Sequence, residues 1–369
     1  MRFSASLAAA LAATALSSLL PSSMAMAAGK TVRIYFWYEY VPEKVIKSFE
    51  AKTGIKVVYD SFESTEMLTT KVLAGKSGYD IVMPTAQVLG QYIAAGALQK
   101  LDQSKLPTTK DLNPDIMALV ASQDPGNAYG LPYAYGTTGI IYNPAKIARL
   151  MTDAPTGSLD MIFKPEVVSK FKKCGVAMVD SPEGVVAVAL RYLGFDPYST
   201  DEAEITKAFD LLKSIRPNIS HFRTGSIMNE MALGDICLAL GWSGDAMVAA
   251  SRAEETKSGN EVRYAIPKEG TEIFFDMMAI PADAPNPDSA QAFMSFVLEP
   301  ENIAEFTNTV FYPNANLAAT PLVEERLRTN PNIYPSKDTT RTLFAARGRD
   351  AKSMKLITRL WSHFKTGRK

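Results

Sequence analysis

The chain has 369 residues, enough for two domains with separate cores, and an ordinary globular composition of 47% hydrophobic and 21% charged residues. Lys+Arg and Asp+Glu both number 39, so the balance argues against a nucleic-acid binder, which needs a basic face. A local acidic pocket is compatible with that neutrality.

The first 27 residues read as a leader rather than as fold. Arg2 is followed by a small-residue apolar run over 5–20, and Ala25-Met26-Ala27 fits an A-x-A cleavage site. Cleavage near Ala27 and export to the periplasm are expected, a retained anchor being the alternative. No later stretch has the ~18 consecutive apolar residues of a membrane span. In an exported protein the pair Cys174 and Cys237 reads as a disulfide, two buried thiols being the alternative. The histidines, His221 and His363, lack ligand spacing to either cysteine, so neither metal nor cofactor is expected.

After the leader, Val32, Ile34 and Phe36 alternate with Arg33 and Tyr35, which predicts a strand. That strand ends in Trp37-Tyr38-Glu39-Tyr40, an exit of three aromatics and a carboxylate. In open α/β sheets ligands bind beyond the carboxyl ends of strands, so this exit is a candidate site wall, although Trp37 and Tyr40 also suit an ordinary core. A helix over 42–52 follows, with Thr53-Gly54 as its stop. A strand over 55–59, a helix over 63–74 with Met67, Leu68 and Val72 inward, a strand over 79–83 and a helix over 88–95 complete a β-α-β-α-β-α run. Short links in that order predict a parallel sheet covered by helices. Thr85 closes the third strand, where its hydroxyl suits a helix cap or a ligand amine.

A polar connection over 100–127 leads to 129–143, where four tyrosines, three glycines and extended β-formers mark a strand crossing into a second domain. Further helices, a strand over 175–180 and a buried strand over 234–241 predict α/β structure there too. That last strand exits into Trp242-Ser243-Gly244-Asp245, repeating the grammar of the first exit. Residues 263–267 suggest a return crossing, and 271–280 carries Phe274-Phe275-Asp276. Phe311-Tyr312 brings another aromatic pair, and the basic helical tail reads as a solvated face. Glu39, Asp245 and Asp276, each beside aromatics, together describe an aromatic box with acidic ends. Ring faces suit methylenes and cationic charge, and carboxylates suit ammonium.

These residues bring a family into view. Trp37-x-x-Tyr40, 49–58, Tyr79-Asp80-Ile81-Val82, Gly241-Trp242-Ser243-Gly244-Asp245, Ile266 to Gly270, Phe274-Phe275-Asp276 and Asn314-Ala315-Asn316 stand in the order found in periplasmic putrescine- and spermidine-binding proteins of polyamine ABC transporters. The mature chain resembles them almost throughout. The resemblance implies a two-lobed, type II-like periplasmic-binding-protein fold with two crossing strands and an interlobe cleft. It implies that Cys174 and Cys237 fall on the family's disulfide positions. It puts Trp37, Tyr40, Thr85, Trp242, Asp245, Phe274, Asp276 and Tyr312 on cleft positions, with Tyr38 and Glu39 where a small hydroxyl residue and Asp are usual. Glu183 opens the helix after Asp180-x-Pro, but Gly184 takes the position expected to face the ligand, which removes a carboxylate from one amine subsite.

The expected lobes are 28–136 with 263–311, and 137–262 with 312–369. The expected function is capture of a putrescine-like cationic amine for an ABC permease by a monomeric, non-enzymatic protein. The alternatives are another small solute (an agmatine-like amine, an acylated polyamine or a sugar), a sensor-linked binding module, or a hydrolase using Asp245 and Asp276. No G-x-S-x-G or H-E-x-x-H pattern supports the last.

Overall fold

The structure is a computed structural model that describes residues 30–62 and 64–367. The expected leader over 1–27 lies outside the described residues. Val32, Ile34 and Phe36 are fully buried in β1 (Thr31–Trp37). Helix Glu43–Thr53 follows, buries Val45 and Phe49, and ends at Gly54, whose φ of 69° needs a residue without Cβ strain. After β2 (Lys56–Phe62), helix Thr65–Leu73 buries Leu68 and Val72, one turn apart. Met67 was expected inward; it lies one step off that stripe and is 50% exposed.

The later strands are β3 (Ile81–Val82), β4 (Gly130–Tyr142), β5 (Val176–Met178), β6 (His221–Phe222), β7 (Leu238–Trp242), β8 (Arg263–Ala265), β9 (Glu272–Ala279) and β10 (Phe344–Ala345). Their spatial order is β2-β1-β3-β9-β4-β7-β5-β6, with β10 on β9 and β8 on β4. In the first lobe β1 runs parallel to β2 and β3, as the β-α-β pattern predicts. The sheet is nevertheless mixed, because β9 runs antiparallel to β3 and β4. The second lobe repeats the arrangement: β5 is parallel to β6 and β7, while β4 meets β7 in reverse.

The long strand β4 is the crossing. Its first part, Gly130 to Thr137, pairs with β9, and its second part, Thr138 to Tyr142, pairs with β7. The return begins at β8, which pairs with Ile140 to Tyr142, and continues through β9. It is therefore longer than the 263–267 stretch singled out in the sequence. Thr271 Oγ1 donates to the Thr138 carbonyl at 2.6 Å, and Tyr264 Oη donates to the Thr137 carbonyl at 2.8 Å, so the two crossings are tied where β4 changes partners.

Two hydrophobic cores flank this junction. The first gathers β1, β3, β9 and helix Pro287–Val297; the second gathers β5, β7 and helices Pro182–Tyr192 and Glu202–Ile215. Residues 312–369 were expected with the second lobe, but the cores divide them. Tyr312, Ala315, Val323 and Ile333 pack into the first core. Only the amphipathic helix Ala351–Thr366 joins the second, through Ile357, Trp361 and Phe364. Asp180 anchors that helix by accepting from Trp361 Nε1 at 2.8 Å and from Lys365 Nζ at 2.6 Å. The disulfide Cys174–Cys237, with Cα atoms 5.6 Å apart, ties the leading ends of the neighbouring strands β5 and β7.

Candidate functional site

Trp37 and Tyr40 from the first exit, Trp242 and Asp245 from the second, and the middle of β9 converge at the junction between the lobes. Asp276 is 3% exposed, and both of its oxygens are occupied on the protein side. Trp37 Nε1 donates to Oδ1 at 3.2 Å, and Tyr40 Oη donates to Oδ2 at 2.7 Å. Burial pushes its carboxyl up to about 6, against the pull of these two donors. No cationic side chain among the described residues offsets that burial. Asp245 lies in the first turn of helix Ser243–Glu255, on the second lobe. It accepts from Tyr312 Oη at 3.1 Å, a contact that joins the two cores. Burial pushes its carboxyl up to about 7, with Tyr312 and the more distant Arg252 pulling the other way. Burial also raises Tyr40 and Tyr312 well above the ordinary phenol range, so both remain protonated donors.

Rings connect the two carboxylates. Trp242 meets Phe274 edge-to-face with centroids 6.1 Å apart, and Phe274 meets Tyr312 at the same distance. Tyr312 meets Tyr40 at 5.8 Å. The Trp242–Phe274 pair brings the end of β7 to β9, so the aromatic wall spans both lobes. Two glycines make the close packing feasible. A Cβ at Gly136 would sit 2.6 Å from Phe274 Cζ and 2.8 Å from Tyr312 Cε1, and one at Gly244 would overlap the Tyr312 ring.

Thr85 stands beside Asp276 through an isolated backbone bridge. Its hydroxyl does not cap the following helix, Ala86–Ala94, and Oγ1 is buried without a hydrogen-bond partner. The capping role considered from sequence is therefore not the one it plays here. Glu183, at the start of helix Pro182–Tyr192, accepts from Gln87 Nε2 of the first lobe, and burial together with the charge of Glu272 pushes it up to about 7. Gly184 is buried behind it.

Tyr38 and Glu39 are not brought into the box. They form an exposed turn in which Tyr38 is 70% exposed and Glu39 takes φ of 52°. The strand ends at Trp37, and the reversal needed to bury Tyr40 turns these two side chains outward. Tyr59 holds that reversal, donating to the Trp37 carbonyl and accepting from Tyr40 N–H. Tyr133 Oη braces it by donating to the Tyr40 carbonyl at 3.2 Å. Sequence reasoning passed over Tyr59, Tyr133 and Gln87, whose roles depend on partners 19 to 96 residues away.

Comparison with known proteins places this arrangement. The profile of bacterial extracellular solute-binding proteins matches residues 44–333. The chain belongs to the bacterial extracellular solute-binding protein family. Within this family it is 46% identical over 349 residues to the putrescine-binding periplasmic protein SpuD of Pseudomonas aeruginosa, covering 94% of this chain and 95% of that one. It is 47% identical over 341 residues to the putrescine-binding periplasmic protein PotF of Escherichia coli, covering 92% of each. Among solved structures, a putative spermidine/putrescine ABC transporter from Listeria monocytogenes superposes with a TM-score of 0.82 at 31% identity, over 92% of this chain and 100% of that one.

Proposed function

We propose that this solute-binding protein captures a putrescine-like polyamine or related cationic amine in the interlobe box and delivers it in the periplasm to an ABC permease. The observation that carries this reading is the pair Asp245 and Asp276: enclosed carboxylates held by tyrosine and tryptophan donors, walled by rings, with no ion-pairing side chain among the described residues. Such groups are costly to ionise until a cation arrives. An ammonium at either carboxylate restores the missing charge. Trp37, Trp242 and Phe274 stack along the methylenes and add cation–π attraction of about 0.5–2 kcal/mol each. Thr85 offers a free hydroxyl beside Asp276, Glu183 a further carboxylate, and Glu39 attracts cations from the rim.

The same residues couple binding to lobe position. Tyr312 and Phe274 come from the first core or the crossing, Trp242 and Asp245 from the second lobe, so an amine held among them favours the closed arrangement. Moving from 1:99 to 99:1 closed needs about 5.5 kcal/mol of differential affinity, within reach of two amine–carboxylate contacts plus stacking. The names of SpuD and PotF, both putrescine-binding and periplasmic, support the same cargo class and location. The expected leader supports export, with cleavage near Ala27.

Isothermal titration of ligand-stripped mature protein against putrescine, cadaverine, agmatine, spermidine and an acylated putrescine tests the proposal. Saturable heat with at least one free amine is the expected result. No heat with any of them would overturn the amine reading while leaving the family membership in place.

A further inference from the structure

Side chains on a strand alternate between faces, so Glu272, Phe274 and Asp276 of β9 share one. Phe274 and Asp276 already line the box, and Glu272 continues the same face. At about 3.3 Å per residue, its Cα lies about 13 Å along the strand from that of Asp276. Glu272 is 5% exposed. Its Oε1 accepts from Tyr198 Oη at 2.7 Å, and Oε2 accepts no hydrogen bond from the described residues. That free oxygen lies over the Gly184 backbone, 3.1 Å from where a Cβ would stand. A carboxylate from another strand thus stands beside the space that a side chain at position 184 would take.

Glu183 stands next to it, so two carboxylates share this end of the cleft. The neighbouring cation is Arg349, whose charge pulls both carboxyls down at longer range while its hydrogen bonds go elsewhere. Its Nη1 donates to the Ser199 carbonyl at 2.5 Å, its Nη2 to the Pro197 carbonyl, and its guanidinium lies over the Tyr198 ring at 5.2 Å. No ion pair among the described residues joins it to Glu183 or Glu272. The other groups facing the pair are the Gln87 amide, the Ser181 hydroxyl, the Tyr198 phenol and, at longer range, Glu66. Burial raises both carboxyls, and the charge on Glu272 raises Glu183 further, against the pull of Arg349 on both and of the Tyr198 hydroxyl on Glu272.

We propose that Glu272 is a specificity-determining residue: together with Glu183 it receives the second cationic group of an extended diamine or polyamine whose first ammonium is held at Asp245 and Asp276. This rests on the amine reading given above. The cleft is then acidic at both ends and aromatic in the middle, a pattern that selects for two charges separated by an alkyl chain. An incoming cation also displaces a proton from the crowded pair, because it favours the doubly ionised state.

The test compares wild type with Glu272→Gln, which keeps an acceptor for Tyr198. Both are titrated at pH 7 with putrescine, cadaverine, agmatine and spermidine, in two buffers of different ionisation enthalpy. The expected result is a loss of about tenfold or more for at least one of these ligands, together with fewer protons released per ligand bound. A purely structural role for Glu272 would not change the proton count. Affinities within threefold of wild type for all four, with unchanged proton release, would overturn the role of Glu272 and leave the amine reading standing. A wild-type protein that binds none of the four would overturn both.

Discussion

Replacing Asp276 with Asn separates what this residue does for binding from what it does for folding. Asn has nearly the same shape. Its oxygen still accepts from Trp37 Nε1, and the Tyr40 hydroxyl can turn to accept from the new amide. The lost quantity is the charge facing the ammonium. Removing one member of a buried, hydrogen-bonded charge pair costs about 2–5 kcal/mol, so a middle value of about 3 kcal/mol predicts an affinity loss of over a hundredfold. Ligand-free stability should move the other way. The Asp276 carboxyl is pushed from 3.8 up to about 6, so ionising it inside the fold costs about 3 kcal/mol. A carboxyl raised in this way favours the folded state while protonated, and that advantage is lost as pH rises from about 4 through 6. Asn carries no such penalty. At pH 8 the ligand-free variant should therefore be at least as stable as wild type, and the difference should shrink towards pH 4. Titration calorimetry with the tightest-binding amine gives the first quantity, and urea unfolding at both pH values gives the second. A dissociation constant within threefold of wild type would refute the ammonium contact. A variant less stable by several kcal/mol at pH 8 would show that Asp276 is kept for its hydrogen bonds instead.

Amine affinity should fall on acidification from pH 8 to pH 5, because Asp245 and Glu183, both pushed up to about 7, must lose protons to receive a cation. The decline approaches about tenfold per pH unit for each proton displaced; a flat calorimetric profile over that range would contradict it. Gly244→Ala should force the Tyr312 ring away from Asp245 and cost about 1–3 kcal/mol in binding; unchanged affinity would mean that the ring relocates freely. Reducing Cys174–Cys237, which spans 63 residues, should lower unfolding free energy by about 4 kcal/mol on the chain-entropy account. The urea midpoint measured with and without reductant checks this, and coincident midpoints would refute it.

Much of the site was legible in the chain because its residues sit where local pattern is strongest. Val32, Ile34 and Phe36 alternate into a strand, so whatever follows Trp37 must stand at a sheet edge. The same logic places Trp242 and Asp245 after β7. The crossing strand was visible in its length and its run of β-formers between glycines. The sequence reading of 271–280 singled out Phe274 and Asp276 but not Glu272, which the regular alternation of β9 places on their face. What periodicity could not supply was the direction of the turn at Tyr38 and Glu39. That depends on Tyr59 and Tyr133, which reach the turn from other strands and leave both side chains outside.

The lobe boundary after residue 311 shows the same division. Sequence order suggested that the remaining chain belongs with the second lobe, yet Tyr312 to Ile333 finds its apolar partners in the first core before helix Ala351–Thr366 crosses to the second. The sequence by itself determined the elements, the strand exits and the residue types of an amine site, because these follow from short-range periodicity and side-chain chemistry. Only the tertiary structure decided which carboxylates are enclosed together, that the Glu272 carboxylate lies against Gly184, and that Thr85 is left without a cap to make. Those outcomes depend on burial and on hydrogen bonds between residues distant in the chain, and no local pattern encodes which of several acidic residues will be enclosed.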